Sequence, residues 1–144
     1  MSSYFPVVIH HSPDCGTSRN VVEIARAAGY EPEIIEYPKT GWTRPQLLAL
    51  FAAAGLTPRA ALRETKSPAS ELGLLNPSVS HRDLIEAMIA HPVLVNRPIV
   101  ATPKGVKLCR PSDSVLDLLE RWPPGPFFKE EGSVLIDAGG ERVG

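Results

Sequence analysis

The sequence predicts an α/β domain in which a mixed sheet is split by a helical insertion, and three stretches carry that prediction. The apolar run Phe5 to Ile9 hands over to the helical pattern Val21, Val22, Ile24, Ala25 and then to a short β-rich run, Glu33-Ile34-Ile35-Glu36-Tyr37. From Thr57 to Leu75 the pattern breaks into short pieces around Pro58, Pro68 and Gly73, as a compact helical insertion does and a sheet does not. Beyond it the expected order is helix, strand, strand, helix. A chain of 144 residues suits one domain, 1–144, with a real hydrophobic core and no need of disulfide staples.

Each element has a local reason. Phe5-Pro6-Val7-Val8-Ile9-His10 reads as a buried strand, and the helix from about Gly16 to Ala28 stops at Gly29, a residue suited to a left-handed cap. With Glu33 to Tyr37 as the next strand this is a β-α-β unit, so its two strands should be parallel with a right-handed crossover. Thr43-Arg44-Pro45-Gln46 fits a capping box with proline in the first turn, and Leu47, Leu48, Leu50 and Phe51 supply an apolar face up to Gly55. Ser80 caps a further helix whose buried face is Leu84, Ile85, Met88 and Ile89 and which ends before Pro92. Val93-Leu94-Val95 and Ile99-Val100-Ala101 both look strand-like. A turn at Pro103-Lys104-Gly105 makes a hairpin of the second with Val106 to Cys109. Ser112 is expected to cap a last core helix carrying Val115, Leu116, Leu118 and Leu119, and the tail 127–144 is weakly specified. This order is that of a thioredoxin-like sheet with extra helices between its halves.

Composition narrows the function. Fifteen Lys and Arg are balanced by 16 Asp and Glu, giving a formal net charge of −1, which argues against a general nucleic-acid footprint; any role for arginine must come from local clustering. Two cysteines make no disulfide framework, and Met1-Ser2-Ser3-Tyr4-Phe5-Pro6 lacks the basic and apolar regions of a signal peptide. A reducing, cytoplasmic setting is expected. No apolar stretch approaches the roughly 20 residues that span a bilayer, so no membrane association is expected either.

The residue with the clearest chemistry is Cys15, in the run His11-Ser12-Pro13-Asp14-Cys15-Gly16-Thr17-Ser18-Arg19-Asn20 where strand gives way to helix. Unpaired N–H groups and the positive end of the helix dipole meet there and favour a thiolate. A thiol with a pKa near 8.5 is only about 3% ionised at pH 7, and a depression of about two units makes the thiolate the major species. A loop between Pro13 and Gly16 is a poor site for a merely structural buried thiol. His11, four residues earlier, can stabilise the thiolate if protonated or orient the loop through a hydrogen bond if neutral. His10 should face the other way. Asp14 opposes thiolate formation unless it points to solvent, Ser18 is a candidate donor to the sulfur, and Arg19 reads as a surface residue. Cys109 falls in an apolar strand and reads as core, as do Trp42 and Trp122.

Four segments in order carry a resemblance: the Cys15 run, Arg59-Ala60-Ala61-Leu62-Arg63, His91-Pro92-Val93-Leu94-Val95-Asn96-Arg97-Pro98-Ile99-Val100, and Leu108-Cys109-Arg110-Pro111. The chain resembles, almost end to end, the glutaredoxin-linked arsenate reductases of the ArsC family. The resemblance implies that Cys15 is the nucleophile that attacks arsenate, that glutathione attacks the resulting thiol-arsenate adduct, and that glutaredoxin reduces the product to release arsenite. Arg63, Arg97 and Arg110 match the family's anion-binding and catalytic positions, and His11 matches a residue that stabilises the thiolate in its charged form. Pro98 matches a proline that is typically cis beside the active cysteine in thioredoxin-like folds. Arsenate, glutathione and glutaredoxin are the implied partners, glutathione being a co-substrate, with no metal or tightly bound cofactor. Two other functions fit parts of the sequence. A glutathione-dependent thiol transferase would suit Cys15-Gly16-Thr17-Ser18, but a disulfide substrate does not call for three cations. A regulator resembling Spx, which shares the fold and binds RNA polymerase, usually carries a Cys-x-x-Cys pair that Ser18 denies.

Overall fold

The computed structural model describes residues 4–143. Strand β1 (Val8–His11), helix α1 (Gly16–Ala27) and strand β2 (Glu33–Glu36) form the β-α-β unit, with β1 and β2 parallel and in register from Val8–Glu33 to His11–Glu36. Gly29 adopts φ +95° behind α1, the left-handed stop read from the sequence. Four short helices follow: α2 (Tyr37–Thr40), α3 (Arg44–Ala54), α4 (Pro58–Ala61) and α5 (His81–Ala90). The Thr43 capping box and the Ser80 side-chain cap are both present. Strands β3 (Ile99–Thr102) and β4 (Gly105–Leu108) complete a four-stranded sheet of order β2-β1-β3-β4, with β3 antiparallel to both β1 and β4. The result is the thioredoxin-like mixed sheet, with α3 to α5 inserted between its halves.

Strand alternation divides the core between the two faces of the sheet. Ile9 and Val100 pack with Val21, Ile24 and Leu116 beneath α1, whereas Ile99 packs with Leu47, Leu84, Met88 and Leu94 beneath the inserted helices. His10, turned away from α1, lies with its ring 5.2 Å from that of Trp42, which in turn lies 4.9 Å from Tyr37. On α3 the buried stripe is narrower than the sequence suggests. Leu47 and Phe51 are buried, Leu50 is half-buried, and Leu48 is exposed.

Three expectations are corrected. Val93-Leu94-Val95 is not a strand: Pro92–Leu94 form a 3-10 turn, because Pro92 has no N–H for a ladder, and Val95 keeps a single antiparallel bridge to Leu62. The last helix is a 3-10 segment, Ser112–Leu118, and Ser112 does not cap it. Pro111 holds the cap position, and its carbonyl accepts instead from the Ser114 hydroxyl at 2.7 Å. The tail is ordered as a hairpin, β5 (Phe127–Phe128) with β6 (Val134–Ile136), since Leu135 and Ile136 are fully buried in the core under α1. Trp122 is partly exposed, its indole N–H donating to the Leu116 carbonyl at 3.2 Å. Within the insertion, the Arg59 guanidinium replaces regular structure by donating to the carbonyls of Leu74, Asn76 and Val79.

Candidate active site

Cys15 occupies the N-cap of α1 in an extended conformation, φ −104° and ψ 121°, and makes no side-chain cap bond. Its sulfur is therefore left to the first-turn donors. Burial alone pushes the thiol up, but the Ser18 N–H, the charge of Arg97, the Arg110 hydrogen bond and the Thr17 N–H together hold it below its ordinary value. The sequence named Ser18 as a donor; its backbone N–H helps to lower the thiol without forming a cap bond, and its hydroxyl does not reach the sulfur. The hydroxyl is engaged 2.6 Å from His11 Nδ1 and accepts from the Ser12 N–H at 3.1 Å.

That contact is the hydrogen bond by which His11 orients the loop. The ring is buried, and burial, ahead of the opposing charge of Glu36, lowers its pKa below the usual histidine value. Arg19 and Arg26 act in the same direction as burial. A neutral imidazole that orients the loop through Ser18 fits this environment, in place of the imidazolium implied by the resemblance. Asp14 is exposed, as expected.

The arginines arrive from three further segments. Arg63 N–H donates to the Leu94 carbonyl at 2.8 Å and Asn96 N–H to the Ala61 carbonyl at 2.8 Å, flanking the Leu62–Val95 bridge. These bonds lock the segment bearing Arg63 to the one bearing Arg97. Below them Tyr37, fully buried, donates its hydroxyl to the Val95 carbonyl at 2.7 Å; burial raises the phenol to about 12. Arg110 Nη1 lies 3.6 Å from Cys15 Sγ and 3.0 Å from the Arg97 carbonyl, so it joins the third segment to both. The Arg97–Pro98 and Arg110–Pro111 peptides are cis.

The site arginines, like Arg59 and Arg121 elsewhere, have neutral partners, but among the described residues only at the site do three of them stand close to a cysteine. Arg19, Arg26, Arg44 and Arg142 pair with carboxylates, whereas the described ion pairs include none for Arg63, Arg97 or Arg110. Arg97 is only 9% exposed, donates Nη1 to the Asn96 side-chain oxygen at 3.2 Å, and buries an Nε with no partner. Arg63 is pushed below its ordinary value by burial and then by Arg97. A half-buried group of cations beside a thiol held below its ordinary value, with Arg97 Nε unpartnered, has the chemistry to take up an anion. Sequence reasoning missed Tyr37, which looked like the end of a strand, and the second role of Asn96, whose side-chain oxygen also accepts from the Arg97 N–H at 3.1 Å. Cys109 is fully buried and its thiol is pushed up to about 12, chiefly by burial.

Comparison with known proteins gives the family. The model of the ArsC family matches residues 10–118, a span that holds all five of His11, Cys15, Arg63, Arg97 and Arg110. The arsenate reductase ArsI2 of Synechocystis is 64% identical over 137 residues, covering 95% of this chain and 98% of its own. An arsenate reductase of Escherichia coli K12 is 46% identical over 137 residues, covering 95% and 97% respectively. A solved arsenate reductase from Vibrio cholerae superposes with a TM-score of 0.76 at 33% identity, covering 81% of this chain and all of that one. With a family model spanning well over half of its length and relatives this similar along nearly all of it, the chain belongs to the ArsC family.

Proposed function

We propose that this protein reduces arsenate to arsenite as a single cytoplasmic domain, with Cys15 as nucleophile and with glutathione and glutaredoxin as the source of electrons. The observation that carries the reading is the Cys15 sulfur at the N-cap of α1, with Arg110 at 3.6 Å and the charge of Arg97, whose Nε is unpartnered, acting on it. Arsenate is a tetrahedral oxyanion. Arg63, Arg97 and Arg110 bind its oxygens, and the thiolate attacks arsenic and displaces one oxygen, which leaves as water once protonated. Glutathione then attacks the adduct. A glutaredoxin thiolate then attacks the glutathione sulfur, the electron pair of the sulfur–arsenic bond passes to arsenic and takes it from the +5 to the +3 state, a glutaredoxin–glutathione disulfide leaves, and hydrolysis of the remaining Cys15–arsenic bond releases arsenite and restores the Cys15 thiol. His11 acts through Ser18 to keep the loop in shape for attack. Family membership and arsenate-reductase relatives support the substrate; the three guanidiniums weigh against a disulfide, which needs no such charge.

The test is arsenite production from arsenate with glutathione and glutaredoxin supplied together and one at a time. Both should be required. Cys15→Ser should fold normally and produce no arsenite, because a hydroxyl lacks both the acidity and the redox chemistry of sulfur. Retention of a tenth or more of parental turnover would overturn the assignment.

A further inference from the structure

The C-terminal hairpin touches the cysteine loop through one side chain. Arg19, in the first turn of α1, donates Nε to Glu130 Oε2 at 2.8 Å and Nη2 to Glu130 Oε1 at 2.7 Å, a two-pronged pair. Its remaining nitrogen, Nη1, donates to the Pro13 carbonyl at 2.8 Å, two residues before Cys15. Next to it, Asn20 accepts from the Glu130 N–H at 2.8 Å and donates to Glu131 Oε1 at 3.2 Å. The turn that presents Glu130 is itself fastened, by Lys129 N–H to the Ser133 carbonyl and Gly132 N–H to the Lys129 carbonyl, each at 2.8 Å. Behind it Leu135 and Ile136 are fixed in the core. Gly16, the residue after Cys15, lies against this pair: a Cβ there would be in ordinary contact, 3.6 Å from both Arg19 Nη2 and Glu130 Oε1.

We propose that Arg19 and Glu130 form a clamp by which the C-terminal hairpin positions the Cys15 loop, Glu130 acting through Arg19 on the Pro13 carbonyl. Arg19 and Glu130 are each about half exposed, so their ion pair adds little to global stability. Its effect is on geometry. A guanidinium is the one side chain that can grip a carboxylate with two donors and still offer a third in the same plane. With Pro13 held, the Cys15 sulfur stays at the entrance of α1 beside Arg110; released, the loop shifts and that 3.6 Å contact lengthens. Neither Arg19 nor Glu130 touches substrate, so both are positioning residues for the reaction proposed above, on which the kinetic part of the test rests.

Charge-conserving variants separate position from electrostatics. Arg19→Lys keeps the cation and loses the fork; Glu130→Asp keeps the anion and withdraws it by one methylene. The rate of Cys15 alkylation against pH reads the thiol directly and does not depend on arsenate being the substrate. Each variant should raise the midpoint by about half a unit with no change in thermal midpoint, and lower arsenate kcat several-fold while KM stays within about twofold. Because the two act through one contact, the double variant should be no worse than the worse single one. Midpoints in both single variants that match the parent, or additive losses in the double variant, would overturn the clamp. A raised midpoint in a protein without arsenate turnover would uphold the clamp and refute the proposed substrate.

Discussion

Arg97→Met is expected to cost activity without costing stability, and the structure gives the size of both effects. Arg97 is buried with an unpartnered Nε, and its one side-chain bond is to the Asn96 oxygen, which also accepts from the Arg97 N–H. Removing the guanidinium gives up that shared bond, worth about 1 kcal/mol, and removes a buried cation that no carboxylate balances. Methionine retains most of the apolar stem. In buffer free of oxyanions the variant should therefore be as stable as the parent or more stable by about 1 kcal/mol. With substrate the sign reverses. One charge-assisted bond to the oxyanion is worth roughly 1.5 to 3 kcal/mol, so kcat/KM should fall about 10- to 150-fold. Urea unfolding with and without arsenate reads both halves. Saturation at 100 times Kd should stabilise the parent by about 2.7 kcal/mol, and the same concentration should do far less for Arg97→Met. If the variant loses more than about 1 kcal/mol without anion, or turns over like the parent, the argument that Arg97 is held in reserve for an anion fails.

Alkylation of Cys15 should show a midpoint below that of a free thiol. Because the folded pKa is lowered, the thiolate's contribution to stability is complete above the unfolded thiol pKa and is lost as pH falls through the folded one. His11→Ala should raise that midpoint by freeing Ser18; an unmoved midpoint would remove His11 from the site. Cys109→Ser should keep near-normal turnover with glutathione and glutaredoxin, since its thiol is buried and pushed up to about 12; a Cys15–Cys109 disulfide trapped during turnover would replace the glutathione route with an internal relay. Tyr37→Phe should cost about 1 to 3 kcal/mol by leaving the Val95 carbonyl unpaired and should raise arsenate KM several-fold by loosening the Arg97 segment. A stability loss with KM unchanged would make the phenol purely structural.

What could be read from the sequence was what is written locally. The β-α-β unit, the stop at Gly29, the Thr43 box and the Ser80 cap depend on residues within a few positions of one another, and all four are present. What could not be read depends on distant partners. The hairpin of the tail exists because Leu135 and Ile136 meet a core whose other members lie more than fifteen residues earlier in the chain. The loops braced by Arg59 are likewise settled by contacts with residues 15 to 20 positions away. The same holds at the site. Cys15 announces itself by its place at a helix entrance, but Arg63, Arg97 and Arg110 could be grouped only by resemblance. Their meeting rests on the Leu62–Val95 bridge and on the Arg110 contact with the Arg97 carbonyl.

The partners of these arginines explain why the cluster is legible as a site once folded. Each donates to a neutral acceptor: Arg63 to the Thr65 carbonyl, Arg97 to the Asn96 amide oxygen, Arg110 to the Arg97 carbonyl. A neutral acceptor fixes the direction of a guanidinium and leaves its charge uncancelled, whereas a carboxylate would do both at once. Arg19 shows the contrast a few ångströms away, paired with Glu130 and used as a brace. Asp14 and Cys15 complete the logic: the carboxylate in the loop is exposed, and Arg97 and Arg110 act to lower the thiol and so favour its anionic form. An incoming oxyanion has to share that field with the thiolate. The cations must therefore outnumber the sulfur, which is a reason for three arginines to stand around one cysteine.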